Sequence, residues 1–470
     1  MIFKMSGDVR YKYHVVPPEF KIDEEKHILI DIARNVLAEH KPEAEEFIDP
    51  DKMRYNFFNI GRDLLSDVAE HKGIELSYEE AEELARILVR YTVGFGLIEV
   101  LLQDPKIQDI TVNGPIGETP IFVVHEDYGE CVTNIIPSRE DGEGWATRFR
   151  LISGRPLDEA NPVLDTGLTI PGARARVAII TNPLNPYCLG YSFRRHRDKP
   201  WTLPLFINNR MMNSLTAGMI SFLVDGARTM LIAGTRSSGK TSLLGSVMVE
   251  LMRRYRVLTV EDTLEIPVDF LRKQGYNIQP MKVRSALTHG GGEMAADEGI
   301  RTSLRMGDSS LIIGEVRSKE ALALFEAMRV GALANVVAGT IHGESPYGVF
   351  DRVVNDLGVP RTSFKATDVI IVANPIKTAD RLHSVKRVVS LTEVRKEWEE
   401  DPLKEGAFVD LLKYNVKSDQ LEATQDLING DSDIVKAIAA NVKEWAGNWD
   451  AVWNNIMLRA KVKQLLVDYA

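Results

Sequence analysis

The sequence predicts a doubly wound α/β core flanked by smaller regions of different build, and three observations lead there. The apolar run TMLIA (residues 229–233) suits a buried strand, GTRSSGKT follows it over residues 234–241, and SLLGSVMVELM from Ser242 has helical character. Strand, glycine-rich turn and helix in that order form the opening unit of an α/β sheet. Strands and helices then keep alternating from Leu205 to Glu393. The chain is also too long for one core: its 470 residues imply about three or four domains at roughly 100–200 residues each.

Taken in chain order, four regions are expected. Residues 1–93 read as helical: DEEKHILIDIARNVLAEH sets Ile28, Ile32 and Val36 on one face, and SYEEAEELARILVRY opens with Ser77 and Glu80 at capping-box spacing. Residues 94–204 change to short β-rich runs such as DITVNG and TPIFVVHED, broken by glycine and proline, which indicates an α+β domain. Residues 205–393 form the α/β core. Before it, PWTLPLFINN (residues 200–209) has two prolines and suits a semi-rigid hinge. Residues 394–470 are acidic and read as a helical tail, where Trp445, Trp449 and Trp453 recur every four residues. Such a stripe either packs into the core or docks a partner. The sequence contains no internal repeat and no low-complexity segment.

Composition narrows the function classes. A hydrophobic share of 44% and a charged share of 26% are ordinary for a soluble globular protein. A formal net charge of −10 argues against bulk nucleic-acid binding, so no nucleic-acid partner is expected. No apolar run reaches the roughly 18 residues needed to span a bilayer, and the charged start MIFKMSGDVRYK lacks signal-peptide character, so a cytoplasmic location is expected. Cys131 and Cys188 are the only cysteines, too few for a disulfide framework or a four-cysteine zinc site.

The chemistry concentrates in four motifs. GTRSSGKT satisfies GxxxxGK followed by Ser or Thr, a loop whose backbone N–H groups close around phosphate oxygens at a helix N-terminus. Gly234, Thr235, Arg236, Ser237, Ser238, Gly239, Lys240, Thr241 and Ser242 are the expected nucleotide contacts. Lys240 would reach the β- and γ-phosphates, and the Thr241 hydroxyl would hold Mg²⁺. Hydrolysis further needs carboxylates at strand ends, where ligands of open α/β sheets bind. VLTVEDTLEI delivers Glu261 and Asp262, with Glu265 close behind, and DSSLIIGEVRS delivers Glu315. VVAGTIHGES ends its apolar run at His342, placed to sense phosphate or orient water.

Together GTRSSGKT, VEDTLE, DSSLIIGEVR and GTIHGES resemble the phosphate loop, aspartate box, Walker B and histidine box of the secretion-motor ATPases. That family powers type II secretion, type IV pili, the archaeal flagellum and type IV secretion. Upstream, GLIEVLLQDPKIQDITVNGP, SGRPLDEANPVLDTGLTIPGARARV and YSFRRH are similar to its N-terminal domain, so the resemblance covers residues 94–375. It implies a RecA-like ATPase core that binds ATP and Mg²⁺, with Thr241 and Glu315 toward the metal and Glu315 polarising the attacking water. It further implies Glu261, Asp262 and Glu265 as aspartate-box acids, His342 near the γ-phosphate, and Arg174 and Arg194 as arginines that clamp the nucleotide. Arg317, beside Glu315, is a further candidate. The family's partners imply a homohexamer pushing on a polytopic inner-membrane platform protein, peripheral at the cytoplasmic face of the membrane.

Two departures stand out. Many bacterial members have TGSGKT in the loop, where this chain places Arg236 and Ser237 in the positions of Thr and Gly. Two cysteines cannot build the four-cysteine module of the bacterial assembly ATPases, which leans toward the archaeal-type branch. Other readings stay open: a conjugation-type or nucleic-acid motor on the same core, and a protein that binds ATP as a switch without cycling. The basic cluster RRHRDK (residues 194–199) reads either as a solvated face with a nucleotide clamp or as a contact for nucleic-acid or lipid phosphates.

Overall fold

Apolar residues alternating along short runs fold this chain around two sheets, one in each of two units, Met1–Arg197 and Asp198–Ala470. The structure is a computed structural model, and it describes residues 1–5, 7–39, 50–284, 294–307, 309–331, 336–378 and 384–469. Asp308, the first residue of the DSSLIIGEVRS motif, lies outside the described residues.

Among the described residues the first unit holds eight strands: β1 (Ile2–Phe3), β2 (Tyr11–Tyr13), β3 (Ile107–Val112), β4 (Phe122–His125), β5 (Gly129–Thr133), β6 (Val163–Ile170), β7 (Ala173–Ile180) and β8 (Gly190–His196). They lie in the order β1-β2-β5-β4-β3-β8-β7-β6. Helix Arg139–Ser153 covers the sheet with Trp145, Ala146 and Phe149, which share a core with Ile110, Val177 and Phe193. Three further helices, Glu24–Glu39, Pro50–Lys72 and Tyr78–Thr92, pack around Leu29, Leu65, Leu84 and Leu88.

The Ser77 capping box forms as the spacing predicts: Ser77 N donates to Glu80 Oε2 at 2.9 Å and Glu80 N to Ser77 Oγ at 3.3 Å. Such a cap stabilises a helix by about 1 kcal/mol. The buried face of helix Glu24–Glu39 differs from expectation. Leu29, Ala33 and Leu37 are buried, whereas Ile28 and Val36 are exposed. Both triplets have helical spacing, and a stripe one residue along lies about 100° around the helix, so packing against Leu65 and Leu88 chose between them. The opening residues are also not helical, because β1 pairs with β2 and β2 adds in parallel to β5.

The second unit holds β9 (Met230–Gly234), β10 (Arg256–Glu261), β11 (Asn277–Lys282), β12 (Ser310–Val316), β13 (Val337–His342), β14 (Val369–Lys377), β15 (Ser384–Val394), β16 (Phe408–Asn415) and β17 (Gln420–Ala423). Their order is β11-β10-β12-β13-β9-β14-β15-β16-β17. The run from β11 to β14 is parallel, and β15 to β17 extend it antiparallel. One face buries Met230, Ile232 and Ile312 under helix Lys240–Glu250 (Leu243, Leu244, Val247). The other buries Leu231, Leu258 and Ile313 under helix Glu320–Gly331 (Ala323, Leu324, Ala327). Helices on both faces of a parallel sheet make the doubly wound α/β core that the alternation predicted, as the RecA-like core of the resemblance implied.

Residues 394–470 depart from the expected helical tail, since β16 and β17 continue the sheet. A register shift in the β15–β16 pairing lets the adjacent Leu411 and Leu412 both be buried, and pairing with β15 satisfies backbone groups that a sheet edge would leave open. The tail then ends in helix Trp449–Asp468. Trp445 precedes that helix, so the three tryptophans do not share one. All three are half-buried against the main core, with Trp445 on Phe222 and Trp449 on Trp453. The expected hinge, residues 200–209, contains the short helix Leu203–Asn208, capped by the Thr202 hydroxyl.

Candidate active site

Parallel strands end on one edge, and four of these ends bring the site together. β9 runs into the glycine-rich turn, β10 ends at Glu261, β12 brings Glu315 and β13 ends at His342, which pairs in register with Gly234.

The turn depends on its glycines. A Cβ on Gly234 would collide with the carbonyl oxygen of Ala373, and Gly239 has φ +92° where helix Lys240–Glu250 begins. Ser237 stands at φ +61°, in the left-handed region that glycine tolerates and other residues enter at a cost. This is the position where TGSGKT sequences have glycine. Lys240 is buried, and its Nζ donates to the carbonyls of Gly234 at 3.1 Å and Thr235 at 2.8 Å. Burial lowers its pKa, and the Glu315 carboxylate offsets part of that shift. Thr241 and Ser242 are half-buried in the first turn of the helix, while Arg236 is exposed.

Glu315 reaches this face because β12 is irregular. Ile313 pairs with Gly339 and Val316 with Ile341, so the step from 313 to 316 is matched by the step from 339 to 341. The extra residue is a β-bulge, and it reverses the alternation of side chains. Val316 therefore rejoins Leu311 and Ile313 in one core, and Glu315 turns to the side of Lys240 and His342.

There the Glu315 Oε1 atom lies 2.9 Å from His342 Nε2, and Oε2 pairs closely with Arg317. Burial alone would raise the Glu315 pKa, but Arg317, His342 and Lys240 outweigh it and hold the carboxyl below its ordinary range. Arg317 also reaches Asp262 at 3.2 Å, so one guanidinium joins both acidic motifs. His342 Nδ1 lies 3.5 Å from Lys240 Nζ. Burial and the Lys240 charge lower the His342 pKa, which leaves a neutral ring at pH 7. That ring offers Nδ1 as an acceptor to Lys240, whereas its Nε2, close as it stands, is not aligned on Glu315 Oε1, which has no hydrogen-bond partner among the described residues.

Glu261 is only 2% exposed. Its Oε1 accepts the N–H groups of Glu265 (3.0 Å) and Ile266 (3.1 Å), and Oε2 has no hydrogen-bond partner among the described residues. Burial pushes its pKa up to about 8, against the lowering effect of the two N–H bonds. Glu265 therefore enters the arrangement through its backbone.

Of the expected residues, the edge brings together Gly234 through Ser242, Glu261, Asp262, Glu265, Glu315, Arg317 and His342. Arg174 and Arg194 lie in the other unit, on β7 and β8, where Arg194 pairs with Asp109 at 2.9 Å. Sequence reading missed Asn374 on β14, which bonds the turn at Thr235 N (3.1 Å). A lone amide ending the apolar run VIIVA was the available signal.

The residues fit a nucleotide with its metal. Among the described residues the buried Ser238 hydroxyl and the Thr235 hydroxyl have no hydrogen-bond partner, beside backbone geometry that only glycine allows at Gly234. Among the described residues no group of three or more His, Cys, Asp or Glu is placed to hold a metal ion. Mg²⁺ does not require one, because it binds through one or two protein oxygens together with substrate phosphates.

Residues 165–402 of the 470 match the family described as Type II/IV secretion system protein. An uncharacterized protein of Methanocaldococcus jannaschii is 25% identical over 415 residues, covering 84% of this chain and 72% of that protein. The conjugal transfer protein TrbB of Rhizobium radiobacter is 24% identical over 201 residues, covering 42% of this chain and 56% of TrbB. Among solved structures, the Legionella pneumophila ATPase DotB aligns with 79% of this chain and 94% of its own at 16% identity and a TM-score of 0.44.

Proposed function

The chain belongs to the type II/IV secretion system protein family, and from that premise we propose that it is a Mg²⁺-dependent ATPase motor. It drives assembly or secretion by a type IV pilus-like, archaeal flagellum-like or type II secretion-like machine. The observation that supports this best is the meeting of Lys240, Glu261, Glu315 and His342 at one sheet edge, on a glycine-shaped turn.

In this reading the turn and the helix N-terminus behind it take the phosphates of ATP, and Lys240 neutralises their charge. Thr241 and Glu315 would hold Mg²⁺, which would supply positive charge against the phosphates. Glu315 stays ionised through Arg317, so it accepts a hydrogen bond from the attacking water. Glu261 has an oxygen without a hydrogen-bond partner among the described residues and a pKa raised to about 8, which suits it to hold a proton during the reaction. His342, neutral between Lys240 and Glu315, reports the γ-phosphate. Arg174 and Arg194 clamp the nucleotide, and loss of the γ-phosphate releases the clamp, which turns chemistry into rigid-body motion.

The working form is a homohexamer, peripheral at the cytoplasmic membrane face, pushing on a polytopic platform protein. No helix among the described residues is long and apolar enough to cross a membrane. The two cysteines and the Methanocaldococcus jannaschii relative favour the archaeal-type branch. The similarity to TrbB favours a second reading, a conjugation-type motor, which DNA-stimulated turnover would distinguish.

The test is ATP turnover across protein concentrations, beside Lys240→Ala and Glu315→Gln, with mass measured in the same buffers. The motor reading expects turnover that needs Mg²⁺, rises as hexamers form and vanishes in both variants. Tight ATP binding with turnover no faster than the variants would replace the motor with a switch.

A further inference from the structure

We infer that Asn374 is a positioning residue that fastens the phosphate loop to the turn after His342. The inference rests on the ATPase reading and deepens it. Asn374 ends a strand segment whose preceding residues, Val369 through Ala373, are fully buried and apolar, and Pro375 follows it. Asparagine is disfavoured in strands, so its place here calls for a polar reason.

The structure supplies that reason as two bonds. Asn374 Oδ1 accepts the N–H of Thr235 at 3.1 Å, and Nδ2 donates to the carbonyl of Glu344 at 3.1 Å. An amide has one acceptor side and one donor side, so an N–H on one hand and a carbonyl on the other fix its orientation. The same stretch of loop is gripped from a second side, because Lys240 Nζ holds the carbonyls of Gly234 and Thr235. The turn after His342 meets the loop again where Gly343 N donates to Gly234 O at 3.4 Å.

Asn374 thus holds one end of each segment that sets the Lys240–His342–Glu315 line. That line has little slack, with separations of 3.5 Å and 2.9 Å. A shift of about 1 Å at such a site costs up to roughly a hundredfold in rate. The loop itself keeps its glycine geometry and its Lys240 bonds without the amide. Loss of Asn374 therefore lowers kcat while leaving nucleotide affinity nearly intact.

The experiment compares wild type, Asn374→Ala and Asn374→Asp for kcat and KM with Mg²⁺ and ATP, for mant-ADP affinity, and for melting temperature. Aspartate has nearly the shape of asparagine and still accepts from Thr235, but it sets an oxygen against the Glu344 carbonyl. Both variants are expected to lose about tenfold or more in kcat, with KM and mant-ADP affinity within about threefold of wild type. A kcat near wild type in both variants would overturn the inference. So would full activity in Asn374→Asp alone, which would assign the effect to Thr235 and remove the link to the His342 turn. Loss of affinity and melting temperature in proportion to kcat would also overturn it, since that describes a fold defect. A wild type without Mg²⁺-dependent turnover would instead sink the ATPase reading, and this inference with it.

Discussion

The two edges of the large sheet each bury a glutamate, and the two are used differently. At the carboxyl edge, Glu261 uses one oxygen for two backbone N–H groups, and the other has no hydrogen-bond partner among the described residues. At the amino edge, Glu393 near the end of β15 is fully buried with both oxygens engaged. Its Oε2 takes the Ser432 hydroxyl in a short bond, and its Oε1 takes Asp433 N at 3.0 Å. Those donors open helix Asp433–Ala440, whose first N–H groups have no partner within the helix. A buried carboxylate with its capacity spent fastens a helix to a sheet. One with an oxygen in reserve is costly to fold and free to do chemistry.

The sharpest way to break this comparison is to replace the carboxyl with an amide at each edge. Glu261→Gln should lower kcat by roughly a hundredfold or more, the size of a lost acid–base group. Glu393→Gln should leave kcat near wild type and cost about 2 kcal/mol of stability, because an amide nitrogen would face donors. Equal loss of kcat in the two, measured beside urea unfolding, would erase the distinction.

A smaller effect sharpens it further. An unfolded Glu titrates near 4.5, and folded Glu261 near about 8. Between those values the unfolded chain has released a proton that the folded chain retains, so stability falls as pH rises through the window. The contribution is intact below about 4.5 and gone above about 8. Glu261→Gln should therefore gain stability over wild type as pH rises, by on the order of a few kcal/mol at pH 9. A stability difference flat from pH 5 to 9 would contradict the raised pKa.

The smallest effect concerns the turn itself. Ser237→Gly should relieve the left-handed backbone and raise stability by about 1 kcal/mol or less, with the melting curve as the check. A loss of stability would mean that the Ser237 side chain contributes more than its backbone costs.

Much of the carboxyl edge was legible in the sequence. The order strand, GTRSSGKT, helix named the loop, and three apolar runs ending in Glu261, Glu315 and His342 named the strand tips. The Ser77 cap was equally legible, because its donor and acceptor stand three residues apart. The role of Asn374 was not: the lone amide ending VIIVA marks the residue, but its partner Thr235 lies 139 residues away and no local pattern joins the two.

By itself, then, the sequence determined the local features: helical and strand periodicity, the glycine-dependent turn and the caps, all set by steric limits and hydrogen bonds within a few residues. The tertiary structure decided the rest. It chose the Leu29 face over the Ile28 face, drew the tail into the sheet as β16 and β17, and placed the bulge that turns Glu315 toward His342. Each of these is a choice between local options of similar energy, and contacts from distant segments bury one option while leaving the other in water.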